Sequence, residues 1–202
     1  MKRILVMAIA VTLVLSAYAF AGMNPNNKVA IHVGTVKKCL QLVFTNCAEI
    51  TTTTPLCAGY FIVPVHYDLV GTTVLEGAIS WPVGWGTVYY GTQCYGTLAI
   101  EDWSLAGYGK YSYASGTCVY SWAEPACVRW FAYATPGPGL ICPVANTTTG
   151  FIGVVDCSDP EPIADPAICL FCAGVCGEFG DDPCEPTAVE PSTWGSIKNM
   201  FK

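Results

Sequence analysis

From residue 28 onward, apolar and polar positions alternate with a period of two, the pattern of strands that bury one face. Val29, Ile31 and Val33 alternate with Ala30, His32 and Gly34. Residues 59–69 read as one long strand, or as two divided at Pro64. The series continues through 73–81, 87–95, 96–100, 111–113, 117–122, 128–133, 140–144 and 151–155, with Gly, Pro, Thr and Asn between the runs. Many short strands at this spacing predict an all-β fold, an immunoglobulin-like or jelly-roll β-sandwich, with one core domain over residues 22–157. Only 169–175 and the extreme C-terminus read as helical.

The first residues follow a different pattern. Met1-Lys2-Arg3 is followed by an apolar run over 4–15 and then by Ser16-Ala17-Tyr18-Ala19-Phe20-Ala21-Gly22. A basic start, a short apolar stretch and small residues at an A-x-A site predict a secretory signal peptide over 1–21. Cleavage after Ala21 fits best, with Ala19 as the alternative. The run is too short for the ~20 residues that span a bilayer, so no membrane span is expected once the leader is removed. The expected location is extracellular or the cell surface.

Loss of Lys2 and Arg3 takes the basic residues from nine to seven against fifteen acids, so the formal net charge moves from −6 to about −8. Nucleic acids and anionic membranes reward clustered Lys and Arg, so neither is an expected partner. Charged residues make up 12% of the chain, about half the ~25% usual for soluble domains. A weakly charged, polar surface suits packing against copies of the same chain or against sugar.

The acids are unevenly placed: nine of the fifteen lie within 156–190, interspersed with prolines. Residues 158–186 therefore read as an acidic, Cys-rich, turn-rich appendix. A calcium site is conceivable among these carboxylates, but the Asp-x-Asp-x-Asp-Gly loop is missing and a solvated acidic face is the expectation. Beyond it, 187–191 read as a linker and 192–202 as a short helix capped by Ser192. Trp194, Ile197 and Phe201 recur at i, i+3 and i+7 on one face, as a docking or sorting tail would need.

Twelve cysteines follow the leader: Cys39, Cys47, Cys57, Cys94, Cys118, Cys127, Cys142, Cys157, Cys169, Cys172, Cys176 and Cys184. An even number in a short exported chain predicts up to six disulfides. Proximity favours Cys39–Cys47, Cys118–Cys127 and Cys142–Cys157. The cluster Cys169, Cys172, Cys176 and Cys184 admits a structural zinc site, a redox pair or an iron–sulfur site. A disulfide-knotted segment is the preferred reading, because neither a βαβ context nor ferredoxin spacing is present. No metal or other cofactor is expected.

Two stretches carry resemblances. Phe171-Cys172-Ala173-Gly174, Gly180-Asp181-Asp182-Pro183-Cys184-Glu185-Pro186-Thr187 and Ser192-Thr193-Trp194-Gly195-Ser196-Ile197-Lys198 resemble a group of uncharacterised secreted Cys-rich β-sandwich proteins of uncultured bacteria. These share a Thr-Trp-Gly-x-Ile-Lys ending, and the likeness implies export but no activity. The run Phe61-Ile62-Val63-Pro64-Val65-His66-Tyr67-Asp68-Leu69, followed by Leu75-Glu76-Gly77-Ala78-Ile79-Ser80-Trp81-Pro82, looks like the early strands of cohesin-type sandwiches. That likeness implies a sandwich fold and nothing about dockerin binding.

Catalytic constellations are few. His32 and His66 are the only histidines, and the period-two pattern puts His66 and Asp68 on one sheet face. No serine stands in a G-x-S-x-G elbow, and nothing fixes a separation among Glu76, Glu101, Asp102 and Glu124 for glycoside hydrolysis. His66 is expected to face outward, and no enzymatic activity is expected. Aromatics crowd the middle of the chain and suit ring stacking or interface anchoring. Trp85, Trp103, Tyr89 and Tyr108 are the candidate binding residues, with Trp85 and Trp103 the least expected to be buried. The single sequon is Asn146-Thr147-Thr148. The expected function is a secreted or cell-surface structural or adhesion-type module, self-associating or joined to the cell envelope. The alternative is a soluble carbohydrate- or protein-binding module.

Overall fold

The computed structural model of the chain describes residues 22–35, 44, 46–91, 98–123, 128–134, 137–158 and 161–185. The expected leader and the tail with Trp194, Ile197 and Phe201 lie outside the described residues, so the expected C-terminal helix does too. The described chain is all-β, as its alternation predicts. Its strands are β1 (Lys28–Gly34), β2 (Thr53–Thr54), β3 (Tyr60–Ser80), β4 (Gly86–Gly91), β5 (Leu98–Leu105), β6 (Tyr108–Ala123), β7 (Val128–Ala134), β8 (Gly139–Val144), β9 (Gly153–Asp156), β10 (Ala164–Pro166), β11 (Cys169–Phe171) and β12 (Ala173–Val175). They join into one mixed sheet.

β3 organises the fold. The two expected strands at 59–69 and 73–81 are one continuous strand of 21 residues. Its first half pairs antiparallel with β1 (Phe61 to Tyr67) and with β7 (Tyr60 to Ile62). Its second half pairs with β6 on one edge and with β9, then β8, on the other. Register shifts between His66 and Val74 mark the change of partners. Asp68 adopts a positive φ of 60° there, and such irregularities bend a strand and add twist. Pro64 falls between the β7 and β6 pairings, a position that a residue without an N–H can hold.

Curling brings distant positions of the sheet into one core. Ile31 and Val33 of β1 share a cluster with Tyr60, Ile62 and Ile79 of β3, Tyr111 and Tyr113 of β6, and Ile141 of β8. The opposite face of the β1–β3 ladder builds a second cluster from Ala30, Val63, Val65 and Tyr67, covered by Phe44, Ile50 and Phe171. β1 is therefore buried on both faces from Val29 to Val33, and its alternation separates two cores rather than core from solvent.

Residues 169–175, expected to be helical, form β11 and β12 instead. β11 runs parallel to β1, while β12 runs antiparallel to β8 and parallel to β2. The 158–186 segment is pinned by disulfides as expected, yet it also supplies three strands to the main sheet. The four described bonds are Cys47–Cys184, Cys57–Cys176, Cys118–Cys157 and Cys142–Cys172. They overturn the three proximity pairings: Cys47, Cys118, Cys142 and Cys157 all take other partners. Sheet registry explains why. β12 lies beside β8 and β2, so cysteines near it meet partners far away in sequence. Cys39, Cys94 and Cys127 lie outside the described residues, and Cys169 is a free thiol.

Candidate functional site

The two candidate aromatics whose side chains are described, Trp85 and Tyr108, do not form one exposed surface. Trp85 lies in the main core, only 8% exposed, against the expectation that it would be accessible. It sits in the turn before β4, and its backbone N–H reaches Pro82 O. Tyr108 opens β6 half-buried, with its hydroxyl donating to Ala145 O at 3.3 Å and accepting from Thr147 N at 2.7 Å. That hydroxyl fastens the 145–149 loop. Tyr89 of β4 stands opposite Trp130 of β7, and Trp103 lies in an irregular stretch of β5. The side chains of Tyr89 and Trp103 lie outside the described part. In the sequon, Asn146 is buried, and its Nδ2 donates to Glu76 Oε1 at 3.0 Å.

Both histidines are buried, which corrects the expectation for His66. Its side chain has no exposure, and Nε2 meets Tyr111 Oη at 2.9 Å. Nδ1 has no hydrogen-bond partner among the described residues. Desolvation holds its pKa down at about 3, so the ring is neutral. Asp68 does not join it: the irregular backbone turns this carboxylate outward to Lys28 Nζ at 2.9 Å. His32 accepts from Thr51 N at Nδ1 (3.0 Å) and packs edge-on against Phe44. Burial lowers its pKa to about 4.

The C-terminal cysteine cluster does not form a thiolate site, because Cys172, Cys176 and Cys184 each bond to a distant partner. Beside Cys47–Cys184 lies an open pocket of about 470 Å3, lined by Cys47, Ala48, Ile50, Thr52 and residues 180–184. Its acids are engaged locally. Asp181 Oδ2 accepts from Cys172 N at 2.6 Å, and Asp182 Oδ1 from Cys184 N at 2.9 Å. Among the described residues, no three His, Cys, Asp or Glu side chains converge as metal ligands.

A buried polar cluster among the described residues has no counterpart among the sequence expectations. It lies where residues 22–27 meet β9 and β10. Asn24-Pro25-Asn26-Asn27 forms a turn closed by Asn27 N donating to Asn24 O at 3.1 Å, with proline at its favoured second position. The Asn24 side chain is fully buried. Its Nδ2 donates to Gly71 O (2.8 Å) and Asp165 Oδ2 (3.0 Å), and its Oδ1 accepts from Val70 N (2.9 Å) and Gly71 N (3.1 Å). Asp165 Oδ2 also accepts from Asn24 N at 2.8 Å, and Asp156 Oδ2 from Met23 N at 2.9 Å. Burial alone would raise the Asp156 pKa. Donation from Ile163 N, Met23 N, Ser158 N and the Ser158 hydroxyl outweighs it and holds the carboxyl below its usual range.

Comparison with family models, curated proteins and solved structures finds no match. Geometry alone therefore carries the functional reading. The one available sequence cue to the buried cluster was Asn24-Pro25-Asn26-Asn27, a turn signal with three amides.

Proposed function

We propose that this protein is an exported structural or adhesion-type module without catalytic activity, held at or near the cell surface through its C-terminal tail. The observation that carries the reading is Cys47–Cys184, a bond across 137 residues. It closes nearly the whole sheet into one covalent loop, between the chain after the leader and the tail that would attach. Beyond β1, which precedes Cys47, tension between the two ends then runs through the bond rather than through the ladders that it encloses. A module joined at one end and engaged at the other gains from such a path. Cys57–Cys176, across 119 residues, adds a second closure inside the first. Long closures also restrict the unfolded chain most, which suits a protein exposed to proteases.

The absence of catalysis belongs to the same proposal. Its support is that both histidines are neutral, buried and engaged, one with Tyr111 and the other with the Thr51 backbone. A second reading, tail-independent binding of glycan or protein, rests on the exposure of Tyr120 (62%) and Phe179 (80%).

The test is fractionation of the producing cell, comparing the full chain with one ending at Pro191. The structural reading expects the full chain on the envelope and the shortened chain in the medium, each with its disulfides intact. Equal release of both forms would overturn it. Binding to a glycan array that Tyr120→Ala or Phe179→Ala abolishes would then favour the second reading.

A further inference from the structure

Asp165 presents a charge imbalance among the described residues. The residue is 4% exposed. Oδ2 takes both Asn24 donors, while no hydrogen bond among the described residues reaches Oδ1, which keeps a trace of solvent contact. No lysine or arginine pairs with it there, since the described ion pairs are Lys28–Asp68 and Lys110–Asp102. A buried carboxylate without a cation is costly. The neighbour of this carboxylate is Gly22. A Cβ on Gly22 would collide with Asp165 Oδ1 and lie 2.5 Å from its Cγ. Bond lengths then place the Gly22 nitrogen within about 5 Å of the carboxylate.

We propose that Asp165 is a receptor site for the protein's own α-ammonium, created at Gly22 when the leader is cut after Ala21. Hydrolysis of the Ala21–Gly22 bond consumes one water, leaves a carboxylate on Ala21 and gives Gly22 a protonated amine. That amine supplies the missing cation, with Asp165 Oδ1 as its acceptor. Asp156, held ionised by its own donors and bonded to Met23 N, adds a second negative charge nearby. Gly22 allows this because any side chain would occupy the space of the carboxylate. Leader removal thereby completes the fold, and the mature protein is more stable than any form carrying an amide or an extra residue at Gly22.

The proposal rests on the export reading, and the two are separable. Intact mass of the exported protein reports the cut: a chain starting at Gly22 is expected, and a start at Phe20 overturns both the assigned cut and the capture. Capture itself is read on refolded mature chains 22–202 with a free or acetylated α-amine, each with Asp165 or Asp165→Asn. Acetylation is expected to raise the unfolding equilibrium constant of the Asp165 protein by tenfold or more, the scale of a charge-assisted bond, and to change that of Asp165→Asn by less than about threefold. Equal effects in both backgrounds, or none in either, would overturn the proposal. If Asp165→Asn does not fold, a chain starting Ala21-Gly22 takes its place. It should lose stability as the acetylated chain does, and full stability in that chain would overturn the capture.

Discussion

A histidine sealed in an apolar core stays neutral at a cost that grows as the solvent turns acid. His66 and His32 titrate near 3 and 4 in the folded chain, against about 6.5 when unfolded. The unfolded state therefore binds more protons below about pH 6.5. Stability is full above that value and falls with acidification by up to ~1.4 kcal/mol per pH unit for each histidine. His32 stops contributing near pH 4 and His66 near pH 3. Asp156, lowered from 3.8, adds a separate loss only below about pH 4, where its unfolded form protonates. Urea unfolding at about pH 7, 5.5 and 4.5 should show the histidine window, and His66→Gln should roughly halve its slope. A flat profile would mean that neither ring is sealed. Two further substitutions probe the same scale. Tyr111→Phe leaves the His66 ring without its partner and should cost about 1–3 kcal/mol. Asn24→Ala strands Gly71 O and the Val70 and Gly71 amides, and should cost at least about 3 kcal/mol, read as a fall in thermal midpoint. None of these roles was legible in the sequence. Period-two patterning cannot distinguish an outward histidine from one between two cores, and Asn24 reads as a plain turn residue. Trp85 was misplaced for a similar reason: Gly84 and Gly86 beside it suggest an exposed loop, yet the loop folds its indole into the core.

At the scale of elements, strongly alternating runs were legible and weak ones were not. β1 and much of β3, β6 and β8 fall where Val, Ile and Tyr alternate with smaller residues. The junction inside β3 was hidden because Gly71-Thr72-Thr73 has the composition of a turn, whereas the chain only shifts register there. β10, β11 and β12 are three residues each, too short to show an alternation, and β10 and β12 also carry aspartate, proline or glycine. Their existence depends on partners far away in sequence, and local pattern cannot report that. β12 shows how tightly such a short strand is held. Gly174 N donates to Thr52 O at 2.7 Å, and the chain turns back so that Asp181 N reaches Cys172 O at 2.9 Å. A Cβ on Gly174 would collide with Glu178 O and lie 2.5 Å from Phe179 C, all of it backbone. Gly174→Ala should therefore push the 178–180 loop off β12 and cost about 1–3 kcal/mol. Thermal unfolding measures the cost, and amide exchange at Val175 should quicken with it.

Across the whole molecule, the disulfides decide how the chain responds to being pulled. β1 lies before Cys47 and so outside the covalent loop, but every other described strand lies within 47–184. A force applied to the two ends of a chain starting at Gly22 can strip β1 from β3 and β11, and then meets the Cys47–Cys184 bond. Extended chain covers at most ~3.6 Å per residue. Freeing residues 22–46 should therefore lengthen the molecule by about 80–90 Å. The 137 residues spanned by the bond hold back a further ~450–490 Å. Single-molecule pulling under oxidising conditions should show only the short event, together with any contribution from the tail. Reductant in the chamber should release the long one. The double substitution Cys47→Ser/Cys184→Ser separates the two closures, because Cys57–Cys176 still locks its 119 residues, so most of the long extension should stay hidden until reductant is added. An oxidised wild-type chain that yields the long extension would show that the bonds do not close this loop. It would also remove the physical basis for a module that transmits tension between its ends.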